Sequence, residues 1–215
     1  GPETELHGRR PSRTESGTVA AVARGDGSER WTFESDQPIQ GRPVVTDDLV
    51  LAIGGSPQLG SNQTVFALDR ASGTERWSFA PNEWWLDVLG TAGDAAFVAT
   101  SDDAISASGQ TLYALSLADG RERWAVEIGD NSGGLVTDAT VFVPSVDTLR
   151  AVSTDGRVHW TYEGSEYQFN TLSAADGTLA FATGGGPPDW TIRGHDTRSG
   201  DERSTYDDND AYTTR

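Results

Sequence analysis

Aromatic side chains flanked by carboxylates are the residues of this chain most suited to chemistry or recognition. Trp84 and Trp85 stand together, with Glu83 before them and Asp87 after them. Tyr167 and Phe169 lie close to Glu166 and Asn170, and Trp190 ends the Gly/Pro-rich stretch GGGPPDW, residues 184–190. Rings of this kind on connecting segments anchor protein partners; the competing reading is that they fill the centre of the molecule. Asp102 and Asp103 form a carboxylate pair that would suit a hard cation such as Ca²⁺, although in so acidic a chain an Asp–Asp pair also reads as a solvated turn. His7, His159 and His195 are scattered and form no H-x-x-x-H pair for zinc. Gly184–Gly186 is followed by neither a helix signal nor Gly-Lys-Ser/Thr, so it is no phosphate cradle. The absence of cysteine removes disulfides and thiol chemistry. No set of residues has the spacing of a catalytic site.

The elements that must position these residues are repeats. Residues 67–77 read ALDRASGTERW, 21–31 read AVARGDGSERW, 114–124 read ALSLADGRERW and 151–160 read AVSTDGRVHW. A fifth copy, GHDTRSGDERS at 194–204, has Ser204 where the others have Trp. Trp31, Trp77, Trp124 and Trp160 are separated by 46, 47 and 36 residues, a period that fits a four-stranded propeller blade. Each copy predicts a hairpin, with β-prone runs such as TVFAL (64–68) and RWSF (76–79) on either side of a Gly-containing turn. Upstream of the last four hairpins lies a second pair of apolar runs, at 43–53, 89–100, 135–144 and 172–183. No window shows sustained helical periodicity. The fold class is therefore all-β, a β-propeller of about four to five four-stranded blades. Segments 35–42, 81–88, 128–134 and 164–171 are expected as loops between blades.

The pattern A-x-D-x-x-S/T-G-x-x-x-W resembles the tryptophan-docking repeat of the PQQ-like (quinoprotein-type) β-propeller family. Ala67, Asp69, Ser72, Gly73 and Trp77 match it in full. Ala21, Gly27 and Trp31, then Ala114, Gly120 and Trp124, then Ala151, Gly156 and Trp160 match it in part, and the last copy keeps Asp196, Ser199 and Gly200. The resemblance covers residues 18–207. It implies that the Trp of one blade packs against the Gly turn of the next, which makes these residues structural. For the dehydrogenases of the family it further implies a Glu–Asn–Asp calcium set, a catalytic Asp, a Trp floor under the quinone and, in many members, adjacent cysteines. This chain offers Trp84 or Trp85 as a floor and no recognisable set beyond it. The family also includes an outer-membrane assembly lipoprotein that uses its propeller as a scaffold.

Composition supplies a second constraint. The 215 residues carry 33 acidic and 16 basic side chains, a formal charge of −17. All the basic ones are Arg, and Lys and Met are absent like Cys. A folded chain with this acid excess resembles the proteins of salt-in halophiles such as haloarchaea, in which high salt screens the self-repulsion. The alternative is an acidic surface for a basic partner or for Ca²⁺. The charge disfavours nucleic acid, and no apolar run is long enough to span a membrane.

Residues 1–17 read as a polar arm or linker and 208–215 as an acidic tail. Five outer hairpins face only four inner pairs, so the ring does not close on sequence alone. The chain is part of a larger propeller, an open ring capped by its own arms, or a ring completed by another chain. The reading that follows is a non-enzymatic binding or scaffold module of a halophilic organism, acting at or outside the cell surface. Its expected partners are a protein or further blades, with salt cations at its acidic surface and no cofactor. The alternative is a fragment of a PQQ- and Ca²⁺-dependent quinoprotein dehydrogenase.

Overall fold

A computed structural model describes residues 16–56, 62–81, 85–101, 110–129, 133–145, 147–164, 171–184 and 191–207. Every regular element among them is a β-strand. The first two, β1 (Gly17–Val22) and β2 (Glu29–Ser35), form an isolated hairpin. Four antiparallel meanders follow. The second blade comprises β3 (Ile39–Val45), β4 (Leu49–Gly54), β5 (Thr64–Asp69) and β6 (Glu75–Phe79). The third comprises β7 (Trp85–Ala92), β8 (Ala95–Ser101), β9 (Thr111–Ser116) and β10 (Glu122–Glu127). The fourth comprises β11 (Leu135–Val136), β12 (Thr140–Pro144), β13 (Thr148–Ser153) and β14 (Val158–Glu163). The fifth comprises β15 (Leu172–Ala175), β16 (Thr178–Thr183), β17 (Thr191–Asp196) and β18 (Glu202–Asp207). The all-β propeller fold inferred from the repeats is thus observed, half blade first.

Sequence and position agree within each blade. The second strands are apolar on both faces, as in LVLAIG of β4 and TVFVP of β12, and are buried throughout or nearly so. The last strands alternate, with ERWAVE of β10 and VHWTYE of β14 each exposing every second residue. A sheet sandwiched between neighbours needs two apolar faces at its middle and one wet edge. The buried clusters lie between successive units, with Val19, Trp31, Val50 and Leu68 joining the first hairpin to the second blade. Leu49, Leu51, Trp77, Leu86, Val98 and Leu115 join the second blade to the third. Phe97, Leu112, Val141 and Val152 join the third to the fourth, and Phe142, Leu149, Leu179 and Phe181 join the fourth to the fifth.

Two of the expected inter-blade loops are shorter than the sequence suggested. Strand β3 begins at Ile39, inside 35–42, and β7 begins at Trp85, inside 81–88. Both are first strands whose alternation is interrupted by a bulge, between Gln40 and Val44 in β3 and between Val88 and Gly90 in β7. A bulge breaks the two-residue period by which a strand is recognised.

Candidate functional site

The local unit that recurs is the turn after the third strand. In the second blade Asp69 Oδ1 accepts hydrogen bonds from the Ala71 and Ser72 amides at 3.0 and 2.8 Å, and Gly73 N–H donates to Asp69 O at 2.8 Å. An Asx turn of this kind needs a residue with positive φ to close, and Gly73 supplies +73°. Arg76, across the hairpin, pairs with the other carboxylate oxygen, Asp69 Oδ2. The Arg76 guanidinium first, then the Ser72 amide, holds Asp69 at a pKa of about 2. Asp196, Arg198, Ser199, Gly200 and Arg203 repeat the arrangement in the fifth blade. There the Ser199 and Arg198 amides are the leading cause of a pKa again near 2.

Each of these turns receives an indole from the preceding blade. Trp31 Nε1–H donates to Arg70 O at 2.9 Å, Trp77 to Leu117 O at 2.9 Å, Trp124 to Thr154 O at 3.0 Å and Trp160 to Thr197 O at 3.2 Å. The ring then lies over the turn glycine. A Cβ added to Gly73 would sit 2.5 Å from Trp31, one on Gly120 2.6 Å from Trp77, one on Gly156 2.9 Å from Trp124 and one on Gly200 2.7 Å from Trp160. Gly27 has the same φ, +71°, but no described atom lies within 4 Å of such a Cβ.

Of the residues proposed as binding anchors, Trp85 and Asp87 lie among the described residues. Glu83, Trp84, Tyr167, Phe169 and Trp190 lie outside them, as do Asp102 and Asp103. Trp85 is the first residue of β7, at the end of the sheet opposite the glycine turns. It is therefore a strand residue and not, as expected, a loop residue, and it pairs with Ser101. Alternation along the strand puts Trp85 and Asp87 on one face and Leu86, which is buried, on the other. Leu86 N–H donates to Gln63 Oε1 at 2.7 Å, and Gln63 is itself buried. That bond ties the start of β7 to the second blade. The Trp85 ring is 36% exposed. Asp87 is open to water on one side and desolvated on the other. That partial burial pushes its pKa above the ordinary carboxylate range. A fixed, part-exposed indole beside such a carboxyl can cover an apolar group and pair with a cation.

Two features escaped the sequence. A cleft of about 900 Å³ opens between the second and third blades at the glycine-turn end, lined by Asp47, Asp48, Arg70, Arg76 and Asp94 among others. Its charges are partly committed, with Arg70 donating to Thr46 O and Asp47 O and Asp94 held 2.6 Å from Arg123. The second feature is His195, 3% exposed, where the other blades bury Leu68, Leu115 or Val152. Its ring lies 5.2 Å from Tyr162 and 5.0 Å from Phe181, and Nδ1 is 2.8 Å from Gly200 O. Aligning the fifth copy on Gly200 would have placed His195 in the core. The cleft has no sequence signal beyond its paired acids. Among the described residues no group of three His, Asp or Glu side chains could hold a metal ion.

The family model described as outer membrane protein assembly factor BamB, a PQQ-like repeat, matches residues 15–127 and again 103–207. The chain belongs to this PQQ-like repeat family. Among solved structures it is similar to BamB from Moraxella catarrhalis, with 18% identity and a TM-score of 0.62 over 83% of this chain and 56% of that one. It is also similar to a europium-containing methanol dehydrogenase, with 15% identity and a TM-score of 0.58 over 79% of this chain and 42% of that one. The quinohemoprotein alcohol dehydrogenase of Comamonas testosteroni gives 15% identity and a TM-score of 0.57 over 80% and 35%. No curated protein matches the sequence. The chain spans about half the length of the BamB structure and less of the dehydrogenases. At these identities the likeness is one of fold.

Proposed function

We propose that this chain is a non-enzymatic, protein-binding scaffold segment of a PQQ-like β-propeller, working outside the cytoplasm of a halophilic organism. The observation that carries the reading is Trp85, a large ring held in place by the Gln63–Leu86 bond and left part-exposed beside Asp87. Rigid aromatic anchors bordered by charge are the usual centre of a protein interface. Membership in a family described by an outer membrane assembly factor supports both the scaffold role and the location. The acid excess, spread over nearly every turn, supports a high-salt setting.

A photo-crosslinking residue in place of Ser101, which pairs with Trp85, keeps the ring intact and, tested in an extract of a halophile's envelope in molar salt, probes the reading. Cross-links to a defined protein that vanish when excess unlabelled protein competes would support it, provided Trp85→Ala competes poorly. A variant that competes as well as the wild type would remove Trp85 from the interface. The dehydrogenase alternative is separated by adding pyrroloquinoline quinone with Ca²⁺. A saturable absorbance change with alcohol oxidation would replace the scaffold reading.

A further inference from the structure

Arg150 departs from the repeat in which it stands. Strand register places it with Phe66, Tyr113 and Arg193, each opposite the residue that follows the repeat Trp or Ser204. In the second and third blades the position is aromatic and packs on a ring from the preceding unit. Phe66 meets Phe33 with centroids 5.4 Å apart, and Tyr113 meets Phe79 at 5.3 Å. In the fifth blade it is Arg193, held at 2.8 Å by Glu202. The fourth blade has neither partner. Val126 stands two residues after Trp124, where Phe33 and Phe79 supply the ring, and Val158 pairs with Val152 in the register place of Glu202.

Arg150 is half-buried, and among the described residues its side chain makes no hydrogen bond and no ion pair. Arg24, Arg30, Arg42 and Arg198 have no side-chain partner there either, but all four are exposed. A charge withdrawn from water without a partner is the costly case. The guanidinium lies at the mouth of the joint between the third and fourth blades, at the end opposite the glycine turns. A Cβ added to Gly129 would sit 3.8 Å from Arg150 Nη1 and 3.9 Å from Ser145 Oγ, with no other described atom within 4 Å. The Ser145 hydroxyl has no hydrogen-bond partner among the described residues. The gap is held open by backbone. Gly129 has a φ of +71°, the amide of buried Ile128 donates to Gln110 O at 2.9 Å, and the Ser145 amide donates to Thr148 O at 2.7 Å.

We propose that Arg150 and Ser145, beside the gap left by Gly129, form a binding site for a carboxylate. The guanidinium offers a planar fork of N–H donors that matches two carboxylate oxygens, and the hydroxyl adds a further donor. Glu127 and Asp147, both exposed, flank the gap in sequence, and the whole chain carries −17. In that field a singly charged anion is favoured over a doubly charged phosphate. The carboxylate belongs to a free organic acid or to an Asp or Glu side chain of a protein docked at this end. The proposal goes beyond the Trp85 reading and stands without it.

Two probes separate the sources: acetate for the free acid, and a short blocked peptide with one Asp for the side chain. Each is titrated into the ¹⁵N-labelled chain, with KCl adjusted to hold the ionic strength at a constant molar value. The Arg150 Nε–H and the Ser145 and Gly129 amides should shift together and saturate. Saturation by either probe supports the site, and the tighter of the two identifies the source. Arg150→Met should abolish the shifts, and Arg150→Lys, which keeps the charge and loses the fork, should bind at least about tenfold more weakly. Arg150→Met should also melt no lower than the wild type, since no bond within the chain is lost. A lower melting temperature would show Arg150 engaged by the chain's own residues and would overturn the proposal. Shifts that rise without saturating, or that appear equally at exposed Arg24 and Arg42, would mean an adventitious ion only and would also overturn it. Saturation by phosphate at a lower concentration than acetate would overturn the carboxylate assignment.

Discussion

A methyl group added at two equivalent glycines should have very different effects. Gly27 and Gly120 close the same turn at φ of +71° and +70°. Alanine at either must adopt a left-handed backbone, at about 1–2 kcal/mol, and regains about 0.4–1 kcal/mol by restricting the unfolded chain. Gly27→Ala should therefore lose about 1 kcal/mol or less. At Gly120 the new Cβ would also lie 2.6 Å from Trp77 Cε3 and 2.7 Å from Cδ2. The indole has little room to retreat, because its N–H is fixed to Leu117 O and its ring packs in a cluster with Leu115 and Val98. Overpacking of this kind adds about 1–3 kcal/mol, so Gly120→Ala should lose about 1–4 kcal/mol in total, always more than Gly27→Ala. Trp77→Ala alone should lose about 3–5 kcal/mol, as for other buried aromatics. In the Trp77→Ala background the clash is gone, and Gly120→Ala should then cost no more than Gly27→Ala. The cycle is read by denaturant unfolding in constant molar salt, with the coupling taken from the four stabilities. Equal losses at Gly27 and Gly120, or zero coupling between Gly120 and Trp77, would refute the docking account.

Two further outcomes follow from the charges. Asp69 and Asp196 have folded pKa values near 2, below the ordinary carboxylate value, so their contribution is present above about pH 4 and is lost as the pH falls toward 2; Asp69→Asn should flatten the acid limb of a melting-temperature profile, and an NMR titration placing the Asp69 carboxyl near 4 would contradict this. The melting temperature should also rise steeply between low and molar KCl, because at 1 M the screening length falls to about 3 Å and the repulsion among 33 carboxylates is largely removed; a flat profile would tie the acid excess to a specific partner instead.

The fold was legible because its joints are written into the sequence at fixed spacing. Ala67, Gly73 and Trp77 lie within eleven residues, and each has a geometric duty that few residue types can fill. The first strands were less legible. Gly90, at φ +151°, sits in a bulge where a Cβ would come 3.1 Å from Val136, and the interrupted alternation made Trp85 look like part of a loop. The aromatic anchors were legible as residue types only. Whether Trp85 is a plug or an exposed ring depends on which face of β7 it shares, and that is set by the pairing of Trp85 with Ser101 and by the distant Gln63. His195 was hidden by its chemistry, since a histidine in a strand reads as surface until its register with Leu68 and Leu115 is known. The cleft between Asp47, Arg70 and Asp94 depends on how two separate turns approach each other, which no local pattern records.

Directional docking gives the row of blades two unlike ends. When each repeat touches only its neighbours, the outer faces of the terminal repeats must be capped or remain apolar and wet. At the leading end Val22 is 61% exposed beside an open glycine turn. At the trailing end Ile192 is 49% exposed, whereas Val65, Leu112 and Leu149 at the same register position are 0% exposed, and Tyr206 opposite it is 60% exposed. If the two ends were made for each other, the trailing end would carry a tryptophan for the leading one. It carries Ser204 with Gly194 opposite, a small and shallow pair, in place of the Ala–Trp pair of the other joints. A surface packed on this face must bring its own bulk to fill the space over Ser204 and Gly194. Ile192 and Tyr206, flanking that shallow floor, are where such a surface gains most apolar contact. Replacing both with Ser should leave the internal joints intact, and stability within about 1 kcal/mol, because neither residue is covered in the chain by itself.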